Sequence, residues 1–201
     1  MEINFIFQII ILLVSIMAHE IAHGAAAYYF GDPTAKNQGR LTLNPLKHID
    51  IFGSIILPLV MYFSGTGILF GWAKPVPYNP YNLRNRRLGE FCVAIAGVTT
   101  NLVIAIIFAI LLRLSPVLGL SLSTIYLVAY IIMLNITLVV FNLIPVPPLD
   151  GSKVLYTLVP YRYEHNLHVL EKYGFYFLII IIVFFGGVIG QIVNFIFNLL
   201  V

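Results

Sequence analysis

From Ile3 to Ala18 the chain carries no charged side chain, and Leu88–Leu112, Leu122–Leu143 and Tyr173–Val201 are as apolar, broken only by Glu90. A helix needs about 20 apolar residues to cross a hydrocarbon core roughly 30 Å thick. Inside that core no water is present to satisfy backbone groups, and these runs are read as helices, which satisfy their own. Only 9% of the residues are charged, 60% are hydrophobic and the mean hydropathy is +0.97, whereas a soluble domain has about 25% charged residues. The reading is an all-α polytopic membrane protein with about four full transmembrane helices. It is expected to form one domain over residues 1–201, with the lipid bilayer as its surroundings. The net charge of +3 is spread along the loops and argues against nucleic acid. The lone Cys92 excludes an internal disulfide. No Lys or Arg precedes the first apolar run, so it reads as a retained helix and not as a signal peptide.

Between these runs the chain is punctuated. Gly31-Asp32-Pro33 should stop the first helix, expected over Asn4–Phe30. Gly39–Leu43 alternates between Gly and Asn44-Pro45, which suggests a short β element, an edge strand near the site described below. Ile51–Phe63 is apolar, contains Pro58 and would rise only about 20 Å as a helix. With the break at Ser64-Gly65-Thr66-Gly67 and the apolar Ile68–Trp72 behind it, this suggests a re-entrant hairpin. Pro145, Pro147 and Pro148 end the third long run, and Leu149 opens a more polar segment reaching Lys172. The last run contains Gly186, Gly187 and Gly190 and reads as either one bent span or a hairpin. With four crossings and a returning hairpin, all of the eleven Lys and Arg but Arg113 fall on one side. The positive-inside rule then puts the N-terminus outside a cell membrane and the polar loops in the cytosol.

Within the first apolar run stands His19-Glu20-Ile21-Ala22-His23. Residues at i and i+4 share a helix face, so both imidazoles can meet one ion while the carboxylate between them serves a water. Ionisable groups are costly in a bilayer and mark function there. Zinc used in catalysis takes a third protein ligand, and Asp150 is the best candidate. It follows a helix ending on the same side, and the proline cluster lets the chain dip inward. The alternative is that Asp150 caps a helix around Ser152–Leu158. The metal would then lie toward the cytosolic side.

His19-Glu20-x-x-His23 early in the chain and Asn142-x-x-Pro145-x-x-x-Leu149-Asp150-Gly151 late in it together resemble the site-2 protease family of intramembrane zinc metalloproteases. Gly39-Arg40-Leu41-Thr42-Leu43-Asn44-Pro45 and Phe70-Gly71-Trp72-Ala73-Lys74-Pro75-Val76-Pro77 are similar to its compact prokaryotic branch, which lacks PDZ and CBS domains. Ala96-Gly97-Val98-Thr99-Thr100-Asn101 is similar to a further family motif, with Val98 in place of a proline. The resemblance implies one Zn2+ held by His19, His23 and Asp150. It makes Glu20 the general base and acid for peptide hydrolysis and Asn142 a holder of substrate backbone. The implied substrate is a transmembrane or membrane-associated protein, locally extended, for which Gly39–Leu43 offers an edge. Asn142 can equally form an interhelical hydrogen bond, and Asn101 and Asn135 are read that way first. His165 and His168 read as a solvated pair, and Lys74 as a headgroup anchor. Two rival functions are a zinc or proton-coupled transporter and a catalytically silent client-binding protein. A transporter needs ionisable groups at several depths, whereas here they concentrate at one; a silent relative would lack Glu20 or a ligand.

Overall fold

A computed structural model describes residues 5–64, 71–159 and 164–201. The expected hairpin apex at Gly65–Phe70 and the side chains of His165 and His168 lie outside the described residues. The described chain is helical: α1 (Phe5–Tyr29), α2 (Thr34–Asn37), α3 (Leu57–Phe63), α4 (Arg86–Arg113), α5 (Ser115–Leu118), α6 (Leu122–Asn142), α7 (Asp150–Leu158) and α8 (Glu164–Leu200). Four helices, Phe5–Tyr29, Arg86–Arg113, Leu122–Asn142 and Leu170–Leu200, are long and apolar enough to cross a membrane. The protein is a polytopic membrane protein.

The last apolar run is one continuous helix through Gly186, Gly187 and Gly190. A Cβ at any of the three would meet nothing within 4 Å, so these glycines do not mark a close crossing. Ile51–Ile56 forms a π-helix that runs into α3, and the Asp50 carboxylate accepts from Gly53 N. The chain then comes back to where it left: Trp72 N donates to Gly53 O at 3.1 Å, and Ser54 Oγ donates to Trp72 O at 2.8 Å. Both arms of the expected hairpin are thus joined at their base.

The expected strand at Gly39–Leu43 does not form. Gly39 closes a turn after α2 at φ +62°, and 41–43 bend. A strand is defined by its ladder, and no described segment pairs with this one. Main-chain alternation is only half of the requirement.

α4 is the helix that the others pack on. It contacts α1, α6 and α7, and α6 also contacts α8. Every fourth residue of α4 from Gly89 to Ala109 is buried: Gly89, Val93, Gly97, Asn101, Ala105 and Ala109. A four-residue step advances about 40° around a helix, so this row winds from one neighbour to the next. Its lower part, Ala105 and Ala109, forms a core with Val128, Ile132 and Ile136 of α6 and Val193 of α8. Lipid is as apolar as leucine, so small side chains that let backbones approach matter more here than hydrophobicity. Asn135 adds a polar tie between helices, donating to Ser15 Oγ of α1 at 3.1 Å. The upper part of the row faces α1 and α7, and there the chemistry collects.

Candidate metal centre

His19 and His23 sit on consecutive turns of α1, both buried. Asp150 comes from the first turn of α7, at the far end of the sequence, and is also buried. The proline cluster, with a cis bond between Pro147 and Pro148, brings the chain to that point. Gly151 lets α7 dock there, because a Cβ would collide with the Leu143 and Ile144 carbonyl oxygens. The alternative capping role for Asp150 is not what the structure shows. Leu149 holds the cap position, and the Asp150 carboxylate turns away from the helix backbone to other partners. Its place in the first turn still sets a negative charge at the positive end of α7.

His19 Nε2, His23 Nε2 and Asp150 Oδ2 form a triangle with each side 3.0 Å. The other nitrogen of each ring is engaged: His19 Nδ1 donates to Asn101 Oδ1 at 3.1 Å, and His23 Nδ1 to the Val93 carbonyl at 2.6 Å. Those acceptors fix the tautomers, so both Nε2 atoms turn lone pairs toward one carboxylate oxygen. Three lone-pair donors this close repel one another unless a positive charge sits among them. A point about 2 Å from all three atoms exists, since the centre of such a triangle is about 1.7 Å from each corner, and zinc–nitrogen and zinc–oxygen bonds are about 2.0–2.2 Å. The donor set fits zinc.

α4 supplies the wall beside the donor atoms. A Cβ on Gly97 would lie 2.5 Å from His19 Nε2 and 2.6 Å from His23 Nε2. Thus Val93, Gly97 and Asn101, one turn apart, hold one ring, leave room at both Nε2 atoms and hold the other. Asn101 was expected to be interhelical glue. It does bridge helices, but its partner is a ring of the metal cluster, and only the family-like motif around Gly97 pointed to this place. On the far side Lys153 Nζ pairs with Asp150 Oδ1 at 3.0 Å. Lys153 is held above its ordinary value, since Asp150 outweighs the burial that opposes its charge. No sequence signal marked Lys153.

Glu20 stands apart from the triangle. Its Oε2 accepts from Val76 N at 2.8 Å, in the segment after the hairpin. Asn142, the last residue of α6, donates to Leu138 O one turn back in its own helix at 2.9 Å. No hydrogen bond joins it to the triangle among the described residues.

The chain is 40% identical over 183 residues to a Bacillus subtilis protein named as a zinc metalloprotease, YwhC, covering 88% of this chain and 80% of that one. The model of peptidase family M50 matches residues 118–186, the stretch that carries Asn142 and Asp150. The chain belongs to that family. A Mycolicibacterium smegmatis protein named as a zinc metalloprotease, Rip2, is 31% identical over 182 residues, 89% of this chain and 67% of its own length. No solved structure matches the chain. As an M50 member the protein is a zinc metalloendopeptidase with Zn2+ as its cofactor, and the resemblance to the site-2 proteases read from the motifs holds.

Proposed function

We propose that this M50 peptidase works inside the bilayer, as a single domain over residues 1–201 that hydrolyses peptide bonds of transmembrane or membrane-associated proteins. One observation carries the reading: the buried triangle of His19, His23 and Asp150 is built on α1, an apolar helix long enough to span the membrane. α1 ends at Tyr29, so at 1.5 Å per residue the histidines lie about 9–15 Å along the helix from that end. The charge distribution supports an N-terminus outside and a site opening toward the cytosol.

In this reading His19, His23 and Asp150 hold the zinc. When bound, zinc polarises a peptide carbonyl and makes water acidic enough to lose a proton near neutral pH. Glu20 keeps Oε2 on the Val76 amide and uses Oε1 to take that proton and deliver it to the leaving amine. Val93 and Asn101 hold the imidazoles in the tautomer that offers Nε2. Asn142 spends its amide N–H on Leu138 O and keeps Oδ1 for an N–H of extended substrate backbone.

The test uses purified protein with a model transmembrane substrate, comparing wild type with Glu20→Gln and measuring bound zinc in both. The expected outcome is full zinc occupancy with cleavage lost. Equal cleavage by both proteins would overturn the reading.

A further inference from the structure

We infer that Arg40 is a positioning residue for Glu20, acting through the single peptide group between Pro75 and Val76. The inference rests on Glu20 being the base of the metal centre. Arg40 is buried, with 7% exposure, and no carboxylate among the described residues pairs with it. Its Nη2 instead donates to Lys74 O at 2.7 Å and Pro75 O at 3.1 Å. The Pro75 carbonyl and the Val76 N–H belong to one planar peptide unit. Arg40 therefore grips the oxygen end of the same group whose N–H end holds Glu20 Oε2 at 2.8 Å. A guanidinium on the carbonyl also polarises the peptide and strengthens its N–H as a donor.

The surrounding chain explains why a clamp is needed. Residues 71–79 form no helix or strand. Upstream, this segment is tied by Trp72 N to Gly53 O and by Lys74 N to His48 O at 2.8 Å. Val76 lies between Pro75 and Pro77, which have no N–H, so a slip of one residue would present Glu20 with nothing to accept from. Burying a guanidinium without a counter-charge is costly. Arg40 Nε is even left buried without a partner. For packing alone an apolar side chain would serve better.

The zinc ligands make no contact with this clamp by hydrogen bond, because the His19 and His23 rings are held by Asn101 and Val93 of α4 and Asp150 sits on α7. Loss of the clamp should free the Glu20 carboxylate to turn while zinc stays. The experiment uses the full chain in detergent with a model transmembrane substrate, and reads kcat, KM, zinc content and amide exchange of peptides covering residues 72–78. Arg40→Met is expected to speed exchange in those peptides and to lower kcat roughly ten- to hundredfold, the range for a lost hydrogen bond to a charged group. KM and zinc content should stay at wild-type values. Val76→Pro, which removes the N–H and also alters the buried side chain and its backbone, should give at least the same kcat loss, and Arg40→Lys should recover part of the loss in Arg40→Met. Wild-type kcat in either Arg40→Met or Val76→Pro overturns the inference, as does a kcat loss matched by loss of zinc. If Arg40→Met does not fold, Val76→Pro decides alone. Glu20→Gln is run alongside. If it is inactive while Arg40→Met and Val76→Pro are fully active, only the inference fails; if it is fully active, the reading of Glu20 fails as well.

Discussion

Gly97→Ala tests whether the imidazoles are held against α4. The added Cβ would sit 2.5 Å from His19 Cε1 and Nε2 and 2.6 Å from His23 Nε2, where ordinary contact begins at 3.4 Å. Either both rings or the helix must give by about 0.8–0.9 Å, whereas metal–ligand distances in a working site hold to about ±0.2 Å. The rings have little room to retreat, since each is bonded to α4 through Nδ1, to Asn101 and to Val93. Loss of one such outer contact typically costs 10–100-fold in metal affinity. Displacing both ligands should therefore weaken zinc by about 100-fold or more, equivalent to about 2.7 kcal/mol. Without metal the rings are free to give up a bond to α4 and turn aside at a cost of about 1 kcal/mol, which the roughly 0.5–1 kcal/mol preference of a helix for alanine over glycine largely offsets, so the fold should hold. The assay is zinc competition against a chelator of known affinity, with thermal melting of the metal-free protein beside it. Gly186→Ala, which adds a Cβ to open space on α8, serves as the control. Zinc affinity of Gly97→Ala within about threefold of wild type, with the metal-free fold intact, would refute the argument that α4 backs the ligands.

Asn101→Leu keeps the volume but removes the acceptor for His19 Nδ1. It should weaken zinc about 10–100-fold while His23 keeps its bond to Val93, measured by the same competition. Asp32 is fully buried behind α1; burial pushes its carboxyl up, but bonds from Thr34, Asn82 and Asn79 outweigh this and hold it below the usual carboxylate range. Its native value lies below its unfolded one, so its stabilisation is complete above about pH 4 and is lost as pH falls through the native value. Thermal melting from neutral pH downward should therefore show a smaller loss of midpoint in Asp32→Asn than in wild type. A parallel decline in both would show that Asp32 does not contribute.

How the site is divided between legible and hidden residues follows from distance along the chain. His19 and His23 are one turn apart on one helix, and their spacing alone states that they share a face, with Glu20 beside it. Asp150 was legible because acids are scarce in an apolar chain and a proline cluster marks where the backbone leaves its helix. Lys153, Val93 and Val76 could not be read. Lys153 is a helical neighbour of Asp150 but looked like any interfacial lysine. Val93 and Val76 act through main-chain groups, which every residue has. Asn101 was legible as a polar group in lipid, yet nothing in the sequence said that it would find an imidazole in place of another amide. The missing strand at Gly39–Leu43 and the choice left open for the last run, which α8 settles as one span, have the same origin, for alternation and glycines describe what a backbone is able to do and not what lies beside it.

By itself the sequence determined the membrane-spanning helices, since apolar length against the bilayer is a property of each segment alone. It also determined that two histidines one turn apart share a helix face, which needs only helix geometry. The tertiary structure decided which way those groups face and what holds them. The upper part of the α4 row, Val93, Gly97 and Asn101, sets how closely α1 approaches, and therefore where its two imidazoles stand for Asp150 to meet. The peptide group between Arg40 and Glu20 is set by contacts across 34 to 56 residues of chain. Such contacts come from helix crossings and tethered loops, and no local pattern encodes a crossing.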